Sequence, residues 1–322
     1  MKRPITFRGP LAEAMDEFVA SKRRQGYDYT DQARTLSYSD RFLAADPSSE
    51  AAERLTPETL KRYVATTSHL AAFTRQTRLA SLREFSRWLQ ARRPDSAFLP
   101  KDILPRHPRP ERYFPIAPAE VAALMAAAPT VLAADPMRAR STGTLVGLLY
   151  CTGLRISEGL GLAPCDLAPD GSALHVAKGK FGKERLVPLS PPAYAALTGY
   201  LAVRRPSALG PDSAPLFIDA SGAALNRRQV YGDFHRLCRH CGIWGKPPPR
   251  LHDLRHNYAC RCLARWREAG LDLNAMLPIL ATAMGHVNFL ATQRYLHRDA
   301  VGLQNAAALF NTLATSHSES KP

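Results

Sequence analysis

A proline-rich segment divides the sequence into two parts. Residues 99–110 have the sequence LPKDILPRHPRP and contain four prolines. Proline lacks a backbone N–H and clashes with the preceding helical turn, so this segment cannot lie inside a helix or a central strand. A chain of 322 residues is long enough for two domains, each with its own core. We therefore predict a first domain of residues 1–104, a linker of residues 105–115, a second domain of residues 116–313 and a disordered tail of residues 314–322.

The first part is predicted to be a small all-helical bundle, because apolar residues recur in it at helical spacing. The predicted helices are residues 11–24, 30–45, 56–69 and 74–91. In the last of them an apolar stripe of Leu79, Leu82, Phe85 and Leu89 faces inward. Six arginines face elsewhere, with only Glu84 to oppose them: Arg75, Arg78, Arg83, Arg87, Arg92 and Arg93. This face is either a phosphate-binding surface or an ordinary solvated arginine face.

The second part is predicted to be mainly α-helical with one small antiparallel sheet. Residues 118–128 and the strongly apolar residues 141–150 are predicted helices, and the latter must be buried. Residues 173–176 and 184–189 are rich in β-forming residues and flank a basic, glycine-containing turn, which is typical of a hairpin. Nearly all of the chain beyond Gln229 is predicted to be helical again.

The chain is strongly basic. Its 43 Lys and Arg against 28 Asp and Glu give a formal net charge of +15. Charge of this size, when it is gathered on one surface, attracts a polyanion, and nucleic acid is the commonest such partner. The alternative is scattered, solvated charge. No apolar run of 18 or more residues occurs, and the N-terminal residues lack an apolar signal segment, so we expect a cytoplasmic protein without a membrane partner.

The six cysteines are too sparse for a disulfide scaffold and fit a reducing compartment. Cys238 and Cys241 form a single C-x-x-C near two histidines, and a structural zinc site would need a better second pair than Cys260 and Cys262. We therefore predict no metal site.

Basic residues of the second part occur where a turn or a helix start would present them to a ligand. Arg155 lies just inside a predicted helix start, and His252 and Arg255 are three residues apart, so on a helix they share a face and can contact one anion. Two guanidiniums stay charged at any working pH. They can clamp phosphate oxygens and stabilise the added charge of a pentacoordinate transition state. Such a pocket needs no metal.

The segment LHDLRH at residues 251–256 has a second interpretation, since histidines four apart with an acid between them suggest a zinc protease helix. That interpretation places the permanent charge of Arg255 beside the metal and lacks the longer glutamate after the first histidine. We therefore favour the phosphate site and predict that His256 is a structural residue on the buried side of the helix.

Four motifs occur together in one order, and with them the chain resembles the tyrosine recombinases, also called phage integrases. The motifs are TGLRISE at residues 152–158, GKFGKERLVPL at 179–189, LHDLRH at 251–256, and GH at 285–286 followed by TQRYLH at 292–297. The resemblance covers nearly the whole chain. It implies that the first part is the SAM-like core-binding domain of the family and that the second part is its α+β catalytic domain.

The resemblance implies a covalent mechanism. Arg155 and Arg255 would hold the scissile phosphate of DNA, and Tyr295 would attack it, leaving a 3′-phosphotyrosine and a free 5′-hydroxyl. The energy of the phosphodiester is kept in the new bond, so neither ATP nor a metal is required and no cofactor is expected. A tyrosine with its ordinary pKa of about 10 is a poor nucleophile at neutral pH, because its hydroxyl keeps its proton. Neighbouring cations and a proton acceptor would favour loss of that proton.

The remaining catalytic roles are carried over in the same way. Lys180 would be the general acid for the departing 5′-oxygen, with Lys178 as the fallback, His252 would assist proton transfer at the nucleophile and His286 would hydrogen-bond the phosphate. The DNA-binding candidates are Arg75, Arg78, Arg83, Arg87, Lys178 and Lys183.

Each of these catalytic and DNA-binding residues also has a simpler interpretation. Arg155 and Glu158 could be a helix-surface ion pair, the lysines a solvated turn, and Tyr295 a half-buried helix residue.

The resemblance also implies partners. We expect double-stranded DNA target sites, joined by a homo-tetramer that acts alone or with sister recombinases, and residues 306–313 would dock either on a neighbouring protomer or within their own chain. The long segment at residues 264–278 is similar to that of recombinases borne on transposon-like elements. The alternatives are a topoisomerase-like nicking and rejoining enzyme and a site-specific DNA-binding protein without turnover.

Overall fold

The protein is described by a computed structural model, which covers residues 5–46, 54–103, 113–177, 184–204, 214–285 and 292. The chain divides into two compact units, Met1–Glu111 and Arg112–Pro322. Several predictions of the sequence lie outside the described residues: most of the linker, the tail, the segment at 306–313, and the residues Lys178, Lys180, Lys183, His286 and Tyr295.

The first unit contains four described helices around one apolar core. They are α1 (Ala12–Arg24), α2 (Thr30–Ala45), α3 (Pro57–Thr66) and α4 (Ala72–Gln90). The N-terminus of α3 is capped by Thr56, whose hydroxyl accepts the Thr59 N–H at 3.1 Å, and Pro57 occupies the first helical position. At the centre the Phe18 ring of α1 packs edge-on against Phe85 of α4 at 5.6 Å. The predicted inward stripe of α4 is confirmed, since all four of its side chains are buried.

The second unit is mainly helical with a two-stranded antiparallel sheet among its described residues, as predicted. Its helices are α5 (Pro118–Val131), α6 (Pro136–Thr152), α7 (Ile156–Gly159), α8 (Pro191–Val203), α9 (Arg227–His240), α10 (Leu251–Glu268) and α11 (Leu273–Met284), and its strands are β1 (Ala173–Val176) and β2 (Arg185–Pro188). The strands pair in the register Ala173 with Pro188 and Val176 with Arg185. Helix α8 was not predicted from the sequence; it buries only Leu197 and Tyr200 and shows weak amphipathic character.

Helix α6 is the centre of the second core. It buries eleven residues, including Leu145, Val146 and Leu149, and it contacts α5, α8, α9 and α10. The predicted burial of residues 141–150 is confirmed, but the helix begins earlier, where Asp135 caps the Arg138 N–H at 2.9 Å. None of the described helices is both long enough and apolar enough to span a membrane.

A buried asparagine fixes the start of the second unit against α10. The Oδ1 atom of Asn257 accepts the Tyr113 hydroxyl at 2.8 Å and the Ile116 N–H at 3.1 Å, and its Nδ2 donates to the Asp253 carbonyl at 2.7 Å. An asparagine that is only 5% exposed must satisfy its polar atoms in this way. The segment at 113–116 is thereby tied to the helix that carries His252 and Arg255.

Helix α6 ends at Gly153, which has a left-handed backbone with φ of 65°. A Cβ atom at this position would lie 2.4 Å from the Tyr258 ring of α10. We expect Gly153→Ala to lower the free energy of unfolding by about 2–5 kcal/mol, because backbone strain adds to overpacking of a buried contact. Thermal and denaturant unfolding measure this loss.

The matched control is Gly270→Ala. Gly270 also follows a helix and has φ of 70°, but a Cβ atom added there would meet no other atom within 4 Å. Backbone strain alone should cost about 1–2 kcal/mol at this position. Equal losses for the two variants would contradict the role assigned to the contact with Tyr258.

Candidate functional site

Arg155 lies between the end of α6 and the start of α7, where the motif TGLRISE makes a tight turn. Its backbone N–H donates to Glu158 at 2.9 Å and its Nη1 donates to the same carboxylate at 2.6 Å. Its Nη2 donates to the Gly285 carbonyl at 2.8 Å. The side chain keeps 24% of its surface exposed. Arg155 is therefore held on two sides and still open to a ligand on a third.

Arg255 extends from the first turns of α10 toward the same place. Its Nη1 donates to the Gly153 carbonyl and its Nη2 to the Met284 carbonyl, each at 2.6 Å. Gly153 is two residues before Arg155, and Met284 is next to Gly285. The fold thus brings together two predicted arginines that are far apart in the sequence. Arg255 is only 1% exposed, whereas His252, one turn away, is exposed. The helix face that was predicted to contact one anion through both side chains is therefore open to solvent at His252 and closed at Arg255.

A third arginine, Arg185 of β2, completes this arrangement and was not among the predicted site residues. Its Nε donates to the Ala283 carbonyl at 2.9 Å. Arg185, Arg255 and Arg155 therefore bind the consecutive carbonyls of residues 283, 284 and 285 at the end of α11. Carbonyls in the last turn of a helix lack intrahelical partners and carry partial negative charge, so they are natural partners for cations.

The sequence alone contained no clear signal for Arg185, because Leu186 and Val187, on opposite faces of the strand, are both apolar. Side chains alternate across a strand, and in β2 the neighbour Leu186 is 66% exposed while Val187 is buried. Arg185 lies on the same face as Val187, and only 9% of its side chain is exposed. A basic residue in register with a buried strand position indicates a specific partner rather than solvent.

Glu158 is the shared counter-charge of this cluster. Its carboxylate is 3% exposed and lies 2.6 Å from Arg155 and 2.8 Å from Arg185. Burial alone would raise the pKa of Glu158, but the hydrogen bonds and charges of Arg185 and Arg155 outweigh it and lower the pKa below its ordinary value. The pair of Arg155 and Glu158 is therefore not an isolated surface ion pair. Three guanidiniums against one carboxylate leave a net positive charge, which suits an anionic ligand.

His252 lies beside this cluster at the start of α10. Desolvation by the surrounding protein, followed by the charges of Arg255 and Arg250, lowers its pKa from 6.5 to about 4, although the residue is exposed on one side. Because water still reaches that side of the ring, desolvation is incomplete, and the charges of Arg255 and Arg250 add to its effect on the pKa. The imidazole is neutral at pH 7 and can accept a proton. Its ring meets the His256 ring edge-on at 4.4 Å between centroids.

We expect the DNA-free protein to show a His252 ring that titrates near pH 4. Protonation of the unfolded chain near pH 6.5 then favours unfolding, so the contribution of His252 to stability is lost as the pH falls from about 6.5 to about 4. NMR titration of the histidine C–H signals measures the midpoint, with the His252→Gln spectrum to assign the signal. A midpoint near 6.5 would contradict both the desolvation of the ring and the effect of the neighbouring arginine charges.

The acid of LHDLRH has a structural role. Asp253 is fully buried, accepts the Arg250 backbone N–H at 2.8 Å and pairs with the Arg250 guanidinium at 2.6 Å, so it caps α10. A carboxylate used in this way is not positioned as the base of a zinc protease. His256 packs edge-on against Tyr113 at 6.3 Å and is half-buried, in keeping with a structural residue.

The C-x-x-C pair is part of the second core. Cys238 is fully buried among apolar residues, and the neighbouring His235 bonds the Pro249 carbonyl at 3.0 Å. Across the part of the chain that the structure describes, no group of three or more His, Cys, Asp or Glu side chains could hold a metal ion.

The α4 arginines that were predicted to bind DNA each contact a neighbouring part of the first unit. Arg87 is exposed, and the other three are half-buried. The contacts are Arg75 to the Thr67 hydroxyl at 3.0 Å, Arg78 to the Tyr38 ring at 3.7 Å, Arg83 to the Pro100 carbonyl at 3.0 Å and Arg87 to the Phe98 ring at 5.9 Å. Such contacts orient long side chains while leaving donors at the surface.

The predicted balance of charge on α4 is corrected in one respect. Glu84 does not pair with the arginines of its own helix but with Lys22 of α1 at 2.7 Å, and it accepts the Tyr29 hydroxyl. Arg92, which follows the end of α4, is opposed by Glu17 of α1 at 3.7 Å. The positive charge of the remaining α4 arginines is therefore less compensated within their own helix than the sequence suggested.

Comparison with known proteins gives consistent matches. Residues 116–301 match the phage integrase family. The chain is 33% identical over 292 residues to y4rB of Sinorhizobium fredii (strain NBRC 101917 / NGR234), itself provisionally named an integrase/recombinase, covering 88% of this chain and 91% of that protein. It is 36% identical over 232 residues to the tyrosine recombinase XerC of Methylobacterium sp. (strain 4-46), covering 71% and 68% of the two chains. A solved structure of the Tn1549 transposon integrase in complex with a circular intermediate DNA has 18% identity and a TM-score of 0.63, with 88% of this chain and 94% of that chain covered.

Proposed function

Because the chain belongs to the phage integrase family of tyrosine recombinases, we propose that it is a site-specific DNA recombinase that cleaves and rejoins strands through a 3′-phosphotyrosine. The observation that carries this proposal is the convergence of Arg155 and Arg255 on the adjacent carbonyls of Gly285 and Met284. Phosphate is one of the anions that a net-positive group of guanidiniums binds through paired hydrogen bonds.

Arg155 is the arginine that would contact the scissile phosphate first. Its contacts among the described residues use two of the five N–H donors of a guanidinium. The remaining donors can bind two non-bridging oxygens. Since these oxygens gain negative charge in the pentacoordinate transition state, donors fixed in advance by Glu158 and Gly285 lower the barrier without having to reorganise.

Arg255 would support the structure of the site before it contacts DNA. Its two carbonyl contacts hold the turn at Gly153 against the end of α11, so it organises the site in the absence of DNA. It is 1% exposed, and direct contact with the phosphate therefore requires that DNA binding uncover one edge of its guanidinium.

The chemical steps follow from the motif match and from His252. The Tyr295 hydroxyl attacks phosphorus and its proton passes to the neutral His252. The bond to the 5′-oxygen breaks, Lys180 protonates that oxygen, and His286 hydrogen-bonds a phosphate oxygen. Attack by the 5′-hydroxyl of a second strand reverses these steps and releases Tyr295. One phosphoester bond forms as another breaks in each step, so no ATP and no metal are needed.

The partner in this proposal is double-stranded DNA. The net charge of +15 supports it, as do the α4 arginines that stay oriented at the surface of the first unit. We propose that four protomers, alone or with sister recombinases, join two sites. We propose a transposon-like carrying element from the long segment at residues 264–278, which contains the end of α10 and the start of α11.

The test is covalent trapping of DNA by the 322-residue chain. A nicked suicide substrate containing the target site, selected from DNA that crosslinks to the protein, should give a protein–DNA adduct in EDTA on a denaturing gel. Mass spectrometry of the digested adduct should place the bond on Tyr295. Tight DNA binding without an adduct would favour a DNA-binding protein without turnover, and relaxation of supercoiled DNA by a single protomer would favour a topoisomerase.

A further inference from the structure

We infer that Arg185 is a positioning residue of the phosphate site and that it acts on Arg155 through Glu158, an inference that rests on the proposed recombinase function. Arg185 has no role in the chemical steps proposed for Arg155, Lys180, His252, Arg255, His286 and Tyr295. It lies on β2, a different element from those that carry Arg155 and Arg255, and only 9% of its side chain is exposed.

Arg185 contacts both Glu158 and the end of α11. Its Nη2 and Nη1 donate to the Glu158 oxygens Oε2 and Oε1 at 2.8 and 3.3 Å. Its Nε donates to the Ala283 carbonyl at 2.9 Å. One planar guanidinium therefore fixes the carboxylate that orients Arg155 and also the last turn of α11, whose next carbonyls bind Arg255 and Arg155.

Charge balance gives Arg185 a second effect. With Arg185 present, Glu158 is shared between two cations, so its negative charge only partly offsets Arg155. Without Arg185, the buried carboxylate would have Arg155 as its main cationic partner. Arg155 would then be drawn into a neutral pair, with less charge and poorer geometry for a phosphate. Arg185 is thus expected to keep the charge of Arg155 from being fully offset by Glu158 and to keep its guanidinium correctly directed.

Gly285 is packed tightly against the Arg185 guanidinium. Gly285 has φ of 64°, and a Cβ atom there would lie 2.8 Å from the Arg185 guanidinium. The guanidinium therefore packs directly against the backbone that leads into His286 in the sequence. A displacement of Arg185 changes the support of this turn as well as the orientation of Arg155.

The first test compares Arg185→Gln and Arg185→Lys with the wild type in single-turnover cleavage of the suicide substrate at saturating protein. We expect the cleavage rate constant of Arg185→Gln to fall about 10- to 100-fold, the range expected when catalytic groups are misplaced by up to an ångström. The Arg185→Lys variant should recover part of this rate, because an ammonium keeps the charge but cannot reproduce the three-way planar contact. The DNA dissociation constant should change little.

Arg138→Gln is the matched control for a purely structural effect. Arg138 pairs with Asp233, which is 1% exposed, through two hydrogen bonds that join α6 to α9 away from the site. We expect this variant to lose a similar amount of thermal stability and to keep the wild-type rate constant in its folded fraction. An Arg185→Gln rate constant equal to wild type, or an equal slowing in Arg138→Gln, would overturn the inference.

A second measurement does not depend on recombination. NMR of the Arg155 side-chain Nε–H signal, assigned by its loss in Arg155→Lys, reports how tightly the guanidinium is held in the DNA-free protein. We expect slow guanidinium rotation in the wild type and in Arg138→Gln, and faster rotation in Arg185→Gln. Unchanged rotation in Arg185→Gln would refute the inference, whereas a wild-type protein that forms no adduct but shows the expected change would refute the proposed function alone.

Discussion

The Tyr295→Phe variant is expected to bind target DNA as the wild type does and to form no covalent adduct with it. Phenylalanine keeps the ring but lacks the oxygen that would become bonded to phosphorus. Removal of the nucleophile from a covalent enzyme is among the most damaging single changes, so the loss should exceed about 1000-fold in adduct yield per unit time. Denaturing gels with the suicide substrate measure the adduct, and gel shifts under native conditions measure binding.

Tyr231→Phe serves as the control, because Tyr231 is a partly buried tyrosine of α9 next to Arg227. It should retain adduct formation. An adduct that persists in Tyr295→Phe would move the nucleophile to Tyr258 or Tyr231. Tyr258 is poorly suited, since desolvation by burial raises its pKa far above the ordinary value and its ring is packed over Gly153.

The Arg155→Gln variant should cleave about 100- to 1000-fold more slowly than the wild type, which is the usual effect of removing one fixed donor from a charge-stabilising site. Glutamine can still donate a hydrogen bond but carries no charge and cannot bind two phosphate oxygens. Overall affinity for DNA should change little, because many phosphate contacts contribute to it. The number of counterions released on binding, measured from the dependence of affinity on salt concentration, should fall by about one.

Single-turnover kinetics measure this loss, with unfolding curves to correct for the folded fraction. Arg155→Lys should also be slow, since an ammonium cannot keep the contacts to Glu158 and Gly285 and clamp a phosphate as well. Arg155→Gln with a wild-type cleavage rate would exclude Arg155 from the transition state. Arg155 is the better target for this test than Arg255, because the burial of Arg255 would mix a large loss of stability with any loss of activity.

Several features of the fold could be predicted from local sequence patterns. The apolar stripe of α4, the buried α6 and the cap at Thr56 depend on residues close together in the sequence, and the two hairpin strands follow one another along the chain. Helix α8 was missed because its exposed face carries alanine and glycine instead of charges, so it shows no amphipathic period. The observed boundaries of the other helices differ from the predicted ones by a few residues, because capping residues determine where a helix begins and ends.

The sequence by itself determined the helical and strand patterning, the basic character and the order of the motifs that contain Arg155, His252 and Arg255. Only the tertiary structure decided that Arg255 is buried, that Glu158 is shared and that Arg185 joins the site. The reason is physical: caps and periodic stripes act over about four residues, whereas Arg185 meets Ala283 across 98 residues and Arg155 meets Gly285 across 130. A charged residue has the same sequence pattern whether its partner is water or a distant carbonyl, and only packing decides between them.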